Sequence, residues 1–211
     1  MSARGKFITV EGIEGVGKST QLARIAARLT AAGREVVVTR EPGGTPLAER
    51  IRALVLADAG EAVPAAAELL LMFASRAVHT ENLVRPALER GAWVVCDRYT
   101  DATYAYQGGG RGVPDADIAP LARLAQRGLM PDLTLLLDAP VAFALRRAHS
   151  RAEGPDRIEA ETDAFFERVR ASYLRLAAAE PTRIRRIDAT ASVDAVAEAV
   201  WGHVAALAGF K

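Results

Sequence analysis

Residues 12–19 read Gly-Ile-Glu-Gly-Val-Gly-Lys-Ser, which matches the phosphate-binding pattern G-x-x-x-x-G-K-[ST]. The stretch before it, residues 7–10, is apolar and β-branched like a buried strand, and apolar residues recur at helical spacing after it. The pattern therefore joins a strand to a helix, which is the context that it requires. In such a P-loop the glycines let successive N–H groups face an anion, Lys18 brings a point charge to the outer phosphates, and Ser19 offers an oxygen to Mg²⁺.

The composition is typical of one globular domain. The chain has 211 residues, of which 50% are hydrophobic and 25% charged, with a net charge of +1. This balance indicates neither a nucleic acid nor a membrane surface as a partner. The single cysteine, Cys96, excludes an internal disulfide and fits a reducing compartment. Because we find no membrane-spanning run and no secretory signal, we expect a cytoplasmic protein.

Strand-like apolar runs alternate with helical patterns along the chain. The predicted strands cover residues 7–10, 36–39, 93–96, 133–137 and 184–187. After the P-loop helix, further helices are predicted at residues 46–58, 64–89 (with a break near Pro86), 115–127, 141–150, 161–178 and 193–207. This order indicates an α/β P-loop three-layer fold, in which a five-stranded parallel sheet carries helices on both faces. Ligands in such sheets bind beyond the carboxyl ends of the strands.

Polar residues follow the predicted strands as this architecture requires. Residues 40–45, Arg-Glu-Pro-Gly-Gly-Thr, come after the second strand, although alone they are typical of a turn into a helix. Asp97 ends the third strand like a carboxylate that holds Mg²⁺, and a helix cap is the alternative. Arg98 is well placed to grip a second phosphate with its planar guanidinium.

Other stretches have both a functional and a purely structural explanation. Residues 103–111, Thr-Tyr-Ala-Tyr-Gln-Gly-Gly-Gly-Arg, suit a flat ligand, and a mobile glycine loop explains them equally well. Phe73 and Arg76, at helical spacing, are ordinary core and surface residues unless other evidence joins them. Residues 146–157 hold four arginines around a Gly-Pro break, which indicates either a solvated helix end or a lid over a transferring phosphoryl group.

Five motifs in order resemble those of the bacterial thymidylate kinases. They are G-I-E-G-V-G-K-S, T-R-E-P-G-G-T, L-M-F-A-S-R, D-R-Y-T-D-A-T-Y-A-Y-Q-G-G-G-R-G and D-R-I-E. The resemblance covers nearly the whole chain. It implies a single P-loop kinase domain over residues 1–211 with a lid near 146–158. It further implies transfer of the γ-phosphoryl group of ATP to dTMP, Mg²⁺ as cofactor, and a homodimer.

The resemblance also implies roles for individual residues. Those expected to bind ATP and its phosphates are Gly12, Ile13, Glu14, Gly15, Val16, Gly17, Lys18, Ser19, Thr20, Arg147 and Arg157. Those expected to bind dTMP are Glu14, Glu41, Pro42, Phe73, Arg76, Arg98, Thr103, Tyr106 and Gln107. Catalysis is expected from Lys18, Arg98 and Arg151, and the metal ligands are expected to be Ser19 and Asp97.

The same resemblance specifies how the substrate is read. Phe73 is expected to stack on thymine, with Arg76 and Thr103 at the edge of the base and Tyr106 near the deoxy carbon of the sugar. It also implies a cis bond between Glu41 and Pro42.

Since no arginine occurs within the P-loop, the lid is expected to supply the cation for phosphoryl transfer. Arg151 is the first choice, and Arg147 and Arg157 are the alternatives. A kinase of another pyrimidine monophosphate remains open as a function. A GTP-binding switch is disfavoured because the chain has no N-K-x-D motif.

Overall fold

The computed structural model describes residues 4–57, 60–149 and 156–210. Its single sheet has five strands in the order β2-β3-β1-β4-β5, and every pair is parallel. The strands are β1 (Phe7–Glu11), β2 (Val36–Arg40), β3 (Trp93–Asp97), β4 (Leu133–Asp138) and β5 (Ile184–Asp188). The predicted α/β fold with a five-stranded parallel sheet is therefore confirmed.

Helices connect the strands, and all but α5 lie where the periodicity predicts a helical pattern. They are α1 (Lys18–Ala31), α2 (Pro46–Leu56), α3 (Ala65–His79), α4 (Arg85–Glu89), α5 (Thr100–Thr103), α6 (Asp115–Gln126), α7 (Val141–His149), α8 (Asp163–Ala179) and α9 (Val193–Ala208). The long helix predicted at 64–89 is divided, because a π-helical turn, Thr80–Val84, joins α3 to α4. Within the described ranges, no helix combines the length and apolar character that crossing a bilayer requires.

Buried apolar residues cover both faces of the sheet. Ile8 belongs to a large cluster that reaches α1, α8 and α9, whereas its neighbour Phe7 belongs to a second cluster with Leu88 of α4 and Tyr99. Successive side chains of a strand point to opposite faces, so these two clusters lie on opposite sides of β1. The carboxyl edge of the sheet is held rigidly between them.

The glycine-rich segment after β3 is helical, and the alternative of a mobile glycine loop is wrong. Tyr104–Gly110 continues α5 as a π-helical segment packed on α8. A Cβ at Gly109 would lie 2.7 Å from Cβ of Ser172, and one at Gly110 would run into the ring of Phe165. These glycines therefore allow α8 to approach closely, and they hold the neighbouring Tyr106 and Gln107 in place.

Candidate active site

The carboxyl ends of β1, β2 and β3 open into one cavity of about 770 Å³. Its walls come from the P-loop, the segments after β2 and β3, helices α2, α3 and α7, and the described part of the lid. The lining residues include Glu14, Gly15, Gly17, Lys18, Ser19, Thr20, Arg40, Glu41, Pro42, Arg52, Leu56, Met72, Asp97, Arg98, Ala102, Tyr106, Gln107, Arg147, Asp156, Ile158 and Glu159. The cavity lies where the strand order predicts a ligand site and has the size of a nucleotide pocket.

The P-loop presents a cation and a helix start to this cavity. Gly17 is the N-cap of α1 with φ 98°, and no side chain caps the helix, so the first N–H groups are available to an anion. Nζ of Lys18 donates to the carbonyl oxygens of Gly12 at 3.2 Å and Ile13 at 3.0 Å, which holds the ammonium group over the loop. Burial lowers the pKa of Lys18, while the carboxylates of Asp97 and Glu14 oppose that effect.

Arg98 has a backbone conformation that residues other than glycine rarely adopt. Its φ is 68°, in the left-handed region that favours glycine. Its N–H donates to the oxygen of Val10 at 3.1 Å, its oxygen accepts from Sγ of Cys96 at 3.0 Å, and the next N–H, of Tyr99, donates to Oε1 of Glu11 at 2.7 Å. These contacts stabilise the turn that aims the guanidinium of Arg98 into the cavity. Strain of this kind is concentrated at functional sites.

The guanidinium of Arg98 meets the P-loop at Glu14. Nη2 of Arg98 donates to Oε1 of Glu14 at 2.8 Å, and the hydroxyl of Tyr106 donates to both Glu14 oxygens at 2.7–2.8 Å. The guanidinium carbon lies 4.6 Å from the centre of the Tyr106 ring. Burial raises the pKa of Tyr106 well above its ordinary value, so the hydroxyl stays protonated as a donor. The predicted residues Glu14, Arg98 and Tyr106 are thus brought together.

Glu11, beneath this cluster, is a residue that the sequence interpretation missed. It is fully buried at the end of β1 and accepts from the hydroxyl of Tyr173 on α8 at 2.7 Å, in addition to the N–H of Tyr99. Burial, with a smaller effect of Asp101, raises the pKa of Glu11 to about 8. Its position at the carboxyl end of a strand, like that of Asp97, is the signal that could have identified it.

Asp97, which the sequence predicts as a metal ligand, lies at the carboxyl end of β3. Its Oδ1 is buried and has no hydrogen-bond partner among the described residues. Asp97 and Ser19 both line the cavity. The described residues contain no group of three or more histidine, cysteine, aspartate or glutamate side chains that could hold a metal. Mg²⁺ suits such a site, because it is usually held by one or two protein oxygens together with substrate phosphates.

The residues predicted to read the base lie deeper than expected. Arg76 is 1% exposed and donates to Glu41 at 2.7 Å, Thr103 at 2.9 Å and the oxygen of Tyr99 at 3.0 Å. Phe73 is 4% exposed and packs in a cluster that includes Ile118 of α6. Met72, by contrast, lines the cavity. Met72 is the residue before Phe73 on α3, and the stacking role expected of Phe73 stays a prediction.

The turn after β2 is pinned to α3. Glu41 is 3% exposed, and its second oxygen accepts from Nδ1 of His79 at 2.8 Å. Nε2 of His79 is bonded in turn to Thr39 at 2.7 Å. The Glu41–Pro42 bond is cis, as predicted. Pro42 and Glu41 therefore reach the cavity from a buried, hydrogen-bonded turn.

The lid arginines take different positions. Nη2 of Arg147 lies 3.7 Å from the point that a Cβ on Gly17 would occupy, so Arg147 lies against the P-loop. Arg157 instead donates to the oxygen of Val55 at 2.8 and 3.0 Å and to Glu68 of α3 at 2.7 Å. Arg151, the first choice from the sequence, lies outside the described residues.

Comparisons with known proteins agree with this geometry. The thymidylate kinase family model matches residues 10–200. The chain belongs to the thymidylate kinase family. It is 58% identical over 201 residues to the thymidylate kinase of Chromohalobacter salexigens, covering 95% of both chains. It is 55% identical over 197 residues to that of Alkalilimnicola ehrlichii, covering 93% of this chain and 91% of the relative.

A solved structure extends the similarity to three dimensions. The thymidylate kinase of Ehrlichia chaffeensis matches with a TM-score of 0.78 and 31% sequence identity, over 95% of this chain and 99% of that one. The family assignment made from the motifs is therefore confirmed. In this member of the thymidylate kinase family, Arg40, Arg52 and Met72 also line the cavity, and the sequence interpretation assigned them no role. Arg40 ends β2 and Arg52 lies within α2, where exposed arginines are common, so residue type alone did not identify them.

Proposed function

We propose that the protein transfers the γ-phosphoryl group of ATP to dTMP and yields dTDP and ADP. The observation that carries this proposal is one cavity that joins a P-loop lysine, Lys18, to a second cation, Arg98, in the turn after the neighbouring strand β3. A phosphoryl transfer between two nucleotides requires a phosphate site on each side of the reacting atoms. The family membership of the chain supports the choice of ATP and dTMP as substrates.

On the donor side, the ATP phosphates lie on the P-loop. The uncapped N–H groups at the start of α1 and the ammonium group of Lys18 stabilise their negative charge. Ile13 and Val16 are 2% and 3% exposed, so they contribute through the loop backbone. Ser19 and Thr20 are exposed at the first turn of α1 and offer hydroxyl groups there.

On the acceptor side, Arg98 binds the phosphate of dTMP and turns it toward the P-loop. That phosphate is already nucleophilic, so no general base is required, and orientation and charge carry the catalysis. Tyr106, held by Glu14, packs against the deoxy carbon of the sugar. Phe73, Arg76 and Thr103 contact the base, together with Pro42, Met72 and Gln107, which line the cavity.

Mg²⁺ would be held by Ser19 and Asp97 together with the phosphates of the substrate. The buried, unpartnered Oδ1 of Asp97 supports this assignment. When bound, the ion supplies positive charge that offsets the negative charge of the phosphoryl oxygens.

The lid, the assembly and the location complete the proposal. Residues 146–158 act as the lid of a single kinase domain, and Arg147 is the lid arginine that lies against the P-loop. The protein acts as a homodimer, which the exposed leucines of three neighbouring helices support: Leu54 of α2, Leu70 of α3 and Leu124 of α6. The cytoplasmic location stays a prediction from the single cysteine.

The test is a phosphoryl-transfer assay with purified protein, ATP and Mg²⁺ against dTMP, dUMP, dCMP, UMP and dGMP. We expect the highest kcat/KM with dTMP and conversion to dTDP and ADP in equal amounts. Lys18→Ala serves as the control for contaminating kinases, because it removes the ammonium group from the P-loop. A higher kcat/KM with any other monophosphate would overturn the assignment.

A further inference from the structure

The side-chain amide of Gln107 has a hydrogen-bond partner for its NH₂ group and none among the described residues for its carbonyl oxygen. The side chain is 1% exposed and lines the cavity. Its Nε2 donates to Oε1 of Glu68 at 2.9 Å. Its Oε1 is buried and has no hydrogen-bond partner among the described residues. A buried carbonyl oxygen of this kind is costly unless a donor reaches it.

Glu68 determines which end of the amide is held. It is 1% exposed in the first turn of α3, where the helix dipole favours a carboxylate. Burial raises its pKa, but hydrogen bonds from Gln107 and Arg157 and the charge of Arg111 outweigh that effect, so the pKa lies below its ordinary value. An ionised carboxylate only accepts hydrogen bonds. The NH₂ end of Gln107 must therefore face Glu68, and the carbonyl end is left to accept from a ligand.

The two pyrimidines differ at the atom that such an acceptor would read. Thymine carries an N–H donor at ring position 3, whereas cytosine has a lone pair at the same place. A fixed carbonyl oxygen in the cavity accepts a hydrogen bond from the N–H of thymine. With cytosine, the same oxygen faces the lone pair of the ring nitrogen, so two acceptors meet without a hydrogen bond. A site built to hydrogen-bond one partner discriminates strongly against the partner that leaves it unpaired.

We propose that Glu68 is the positioning residue for base selection: by orienting the amide of Gln107, it makes the site prefer a pyrimidine with an N–H at position 3. This inference rests on the proposed function, since it takes dTMP as the acceptor. Glu68 acts through Gln107 and has no contact of its own with the substrate. The other oxygen of Glu68 accepts from Arg157 at 2.7 Å, so the same carboxylate also anchors the described end of the lid.

The test compares dTMP with 5-methyl-dCMP, which keeps the methyl group and the sugar but lacks the N–H at position 3. Glu68→Gln introduces an NH₂ group that can donate to Oε1 of Gln107, so the amide of Gln107 can turn either way. We expect the ratio of kcat/KM for dTMP over 5-methyl-dCMP to fall about tenfold, the scale of one buried hydrogen bond. Because Glu68 also binds Arg157, the readout is the ratio for the two acceptor substrates and not the KM for ATP.

Two further variants separate positioning from a general loss of structure. In a Gln107→Ala background, Glu68→Gln is expected to leave the ratio unchanged, because the amide through which it acts is absent. Glu161→Gln is the matched control, since Glu161 pairs with Arg111 of the same network and has no bond to Gln107. If Glu68→Gln fails to fold, Glu68→Asp keeps the charge and withdraws the carboxylate, and a smaller fall of the ratio is expected.

The outcomes distinguish this inference from the proposed function. A wild-type protein that does not phosphorylate dTMP overturns the function. A wild-type protein that does, with an unchanged ratio in folded Glu68→Gln and Glu68→Asp variants, overturns the role of Glu68. An equal fall of the ratio in Glu161→Gln, or an undiminished effect of Glu68→Gln in the Gln107→Ala background, overturns it as well.

Discussion

Met72 and Phe73 are adjacent in the sequence and lie in different environments. Successive residues of an α-helix are rotated by about 100°, so neighbours face different directions. Met72 lines the cavity, while Phe73 packs in the cluster with Leu69 and Ile118 and has the guanidinium of Arg76 4.9 Å from its ring centre. The family resemblance implies that Phe73 stacks on the base, and the structure adds Met72 as a second candidate on the same helix.

Substitution at these two positions should separate binding from stability. Phe73→Ala is expected to lower the free energy of unfolding by about 3–5 kcal/mol, because it leaves a cavity in a packed cluster. Met72→Ala is expected to raise the KM for dTMP more than Phe73→Ala does, with little change in the KM for ATP. Steady-state kinetics and denaturant unfolding of both variants check this. A larger increase in the dTMP KM for Phe73→Ala would restore Phe73 as the stacking residue.

The P-loop and α7 are in direct backbone contact. Gly15 has φ 77°, and a Cβ there would run into the carbonyl oxygen of Ala144 and lie 2.9 Å from N of Ala148. Both neighbours are backbone atoms of α7, which cannot rotate away as a side chain can. Since α7 leads toward the lid, any movement of its backbone is felt directly at the phosphate loop.

Gly15→Ala should therefore weaken nucleotide binding. Gly33→Ala is the matched control, because Gly33 has the same φ of 77° and a Cβ there would meet nothing within 4 Å among the described residues. Both variants bear a backbone strain of about 1–2 kcal/mol. Only Gly15→Ala is expected to raise the KM for ATP and to lose further stability. Calorimetric binding of ADP and thermal unfolding test this, and equal losses in the two variants would refute the contact.

Helix α7, whose end belongs to the lid, carries two adjacent arginines, Arg146 and Arg147, that can be compared. Both side chains are exposed, but Arg147 lies against the P-loop at Gly17 and lines the cavity, whereas the adjacent Arg146 is not among the lining residues. We expect Arg147→Ala to lower the single-turnover rate about 10³-fold or more, as loss of an arginine that stabilises a phosphoryl transition state does. Arg146→Ala should stay within a few-fold of wild type. Arg151→Ala belongs in the same series, and a large loss there with none at Arg147 would return the role to Arg151.

Glu11 ties three parts of the molecule together. Its carboxyl group at the end of β1 accepts from the turn after β3 and from Tyr173 of α8. Burial and the charge of Asp101 raise the pKa of Glu11, and together they outweigh the opposing effect of Arg98. Between about pH 4.5 and about pH 8, Glu11 is therefore protonated in the folded protein and ionised in the unfolded chain.

Stability should consequently depend on pH through this residue. The pKa is raised from 4.5 to about 8 on folding, so the stabilisation is fully present below about 4.5 and is lost as pH rises through about 8. Glu11→Gln cannot ionise. We expect the unfolding free energy of wild type, relative to that of Glu11→Gln, to fall between pH 5 and pH 9. Urea unfolding of both proteins across this range measures the difference, and a constant difference would contradict the raised pKa.

Assembly is predicted from the surface as a whole. Helices α2 and α6 both contact α3, and Leu54, Leu70 and Leu124 are 64%, 56% and 75% exposed. Leu70→Glu on the central helix should shift the protein toward the monomer, since it places a charge in an apolar interface. Val193→Glu, at an exposed apolar residue that begins α9, is the control. Sedimentation velocity measures the oligomeric state of the three proteins. A monomeric wild-type protein, or a Leu70→Glu variant that remains a dimer, would exclude this surface as the dimer interface.

The local sequence predicted the fold class and the P-loop, and it predicted that Asp97 and Arg98 lie at the end of the third strand. Apolar periodicity and strand ends are short-range signals, which is why these features could be predicted. The motifs also determined the family. Only the tertiary structure shows that Met72 is among the residues lining the cavity, that Arg147 lies against the P-loop while Arg157 binds Glu68, and that Gln107 donates to Glu68. Those contacts join residues far apart in the chain, and their directions depend on how the helices rotate and pack. Burial of Glu11 likewise arises only when α8 covers the end of β1.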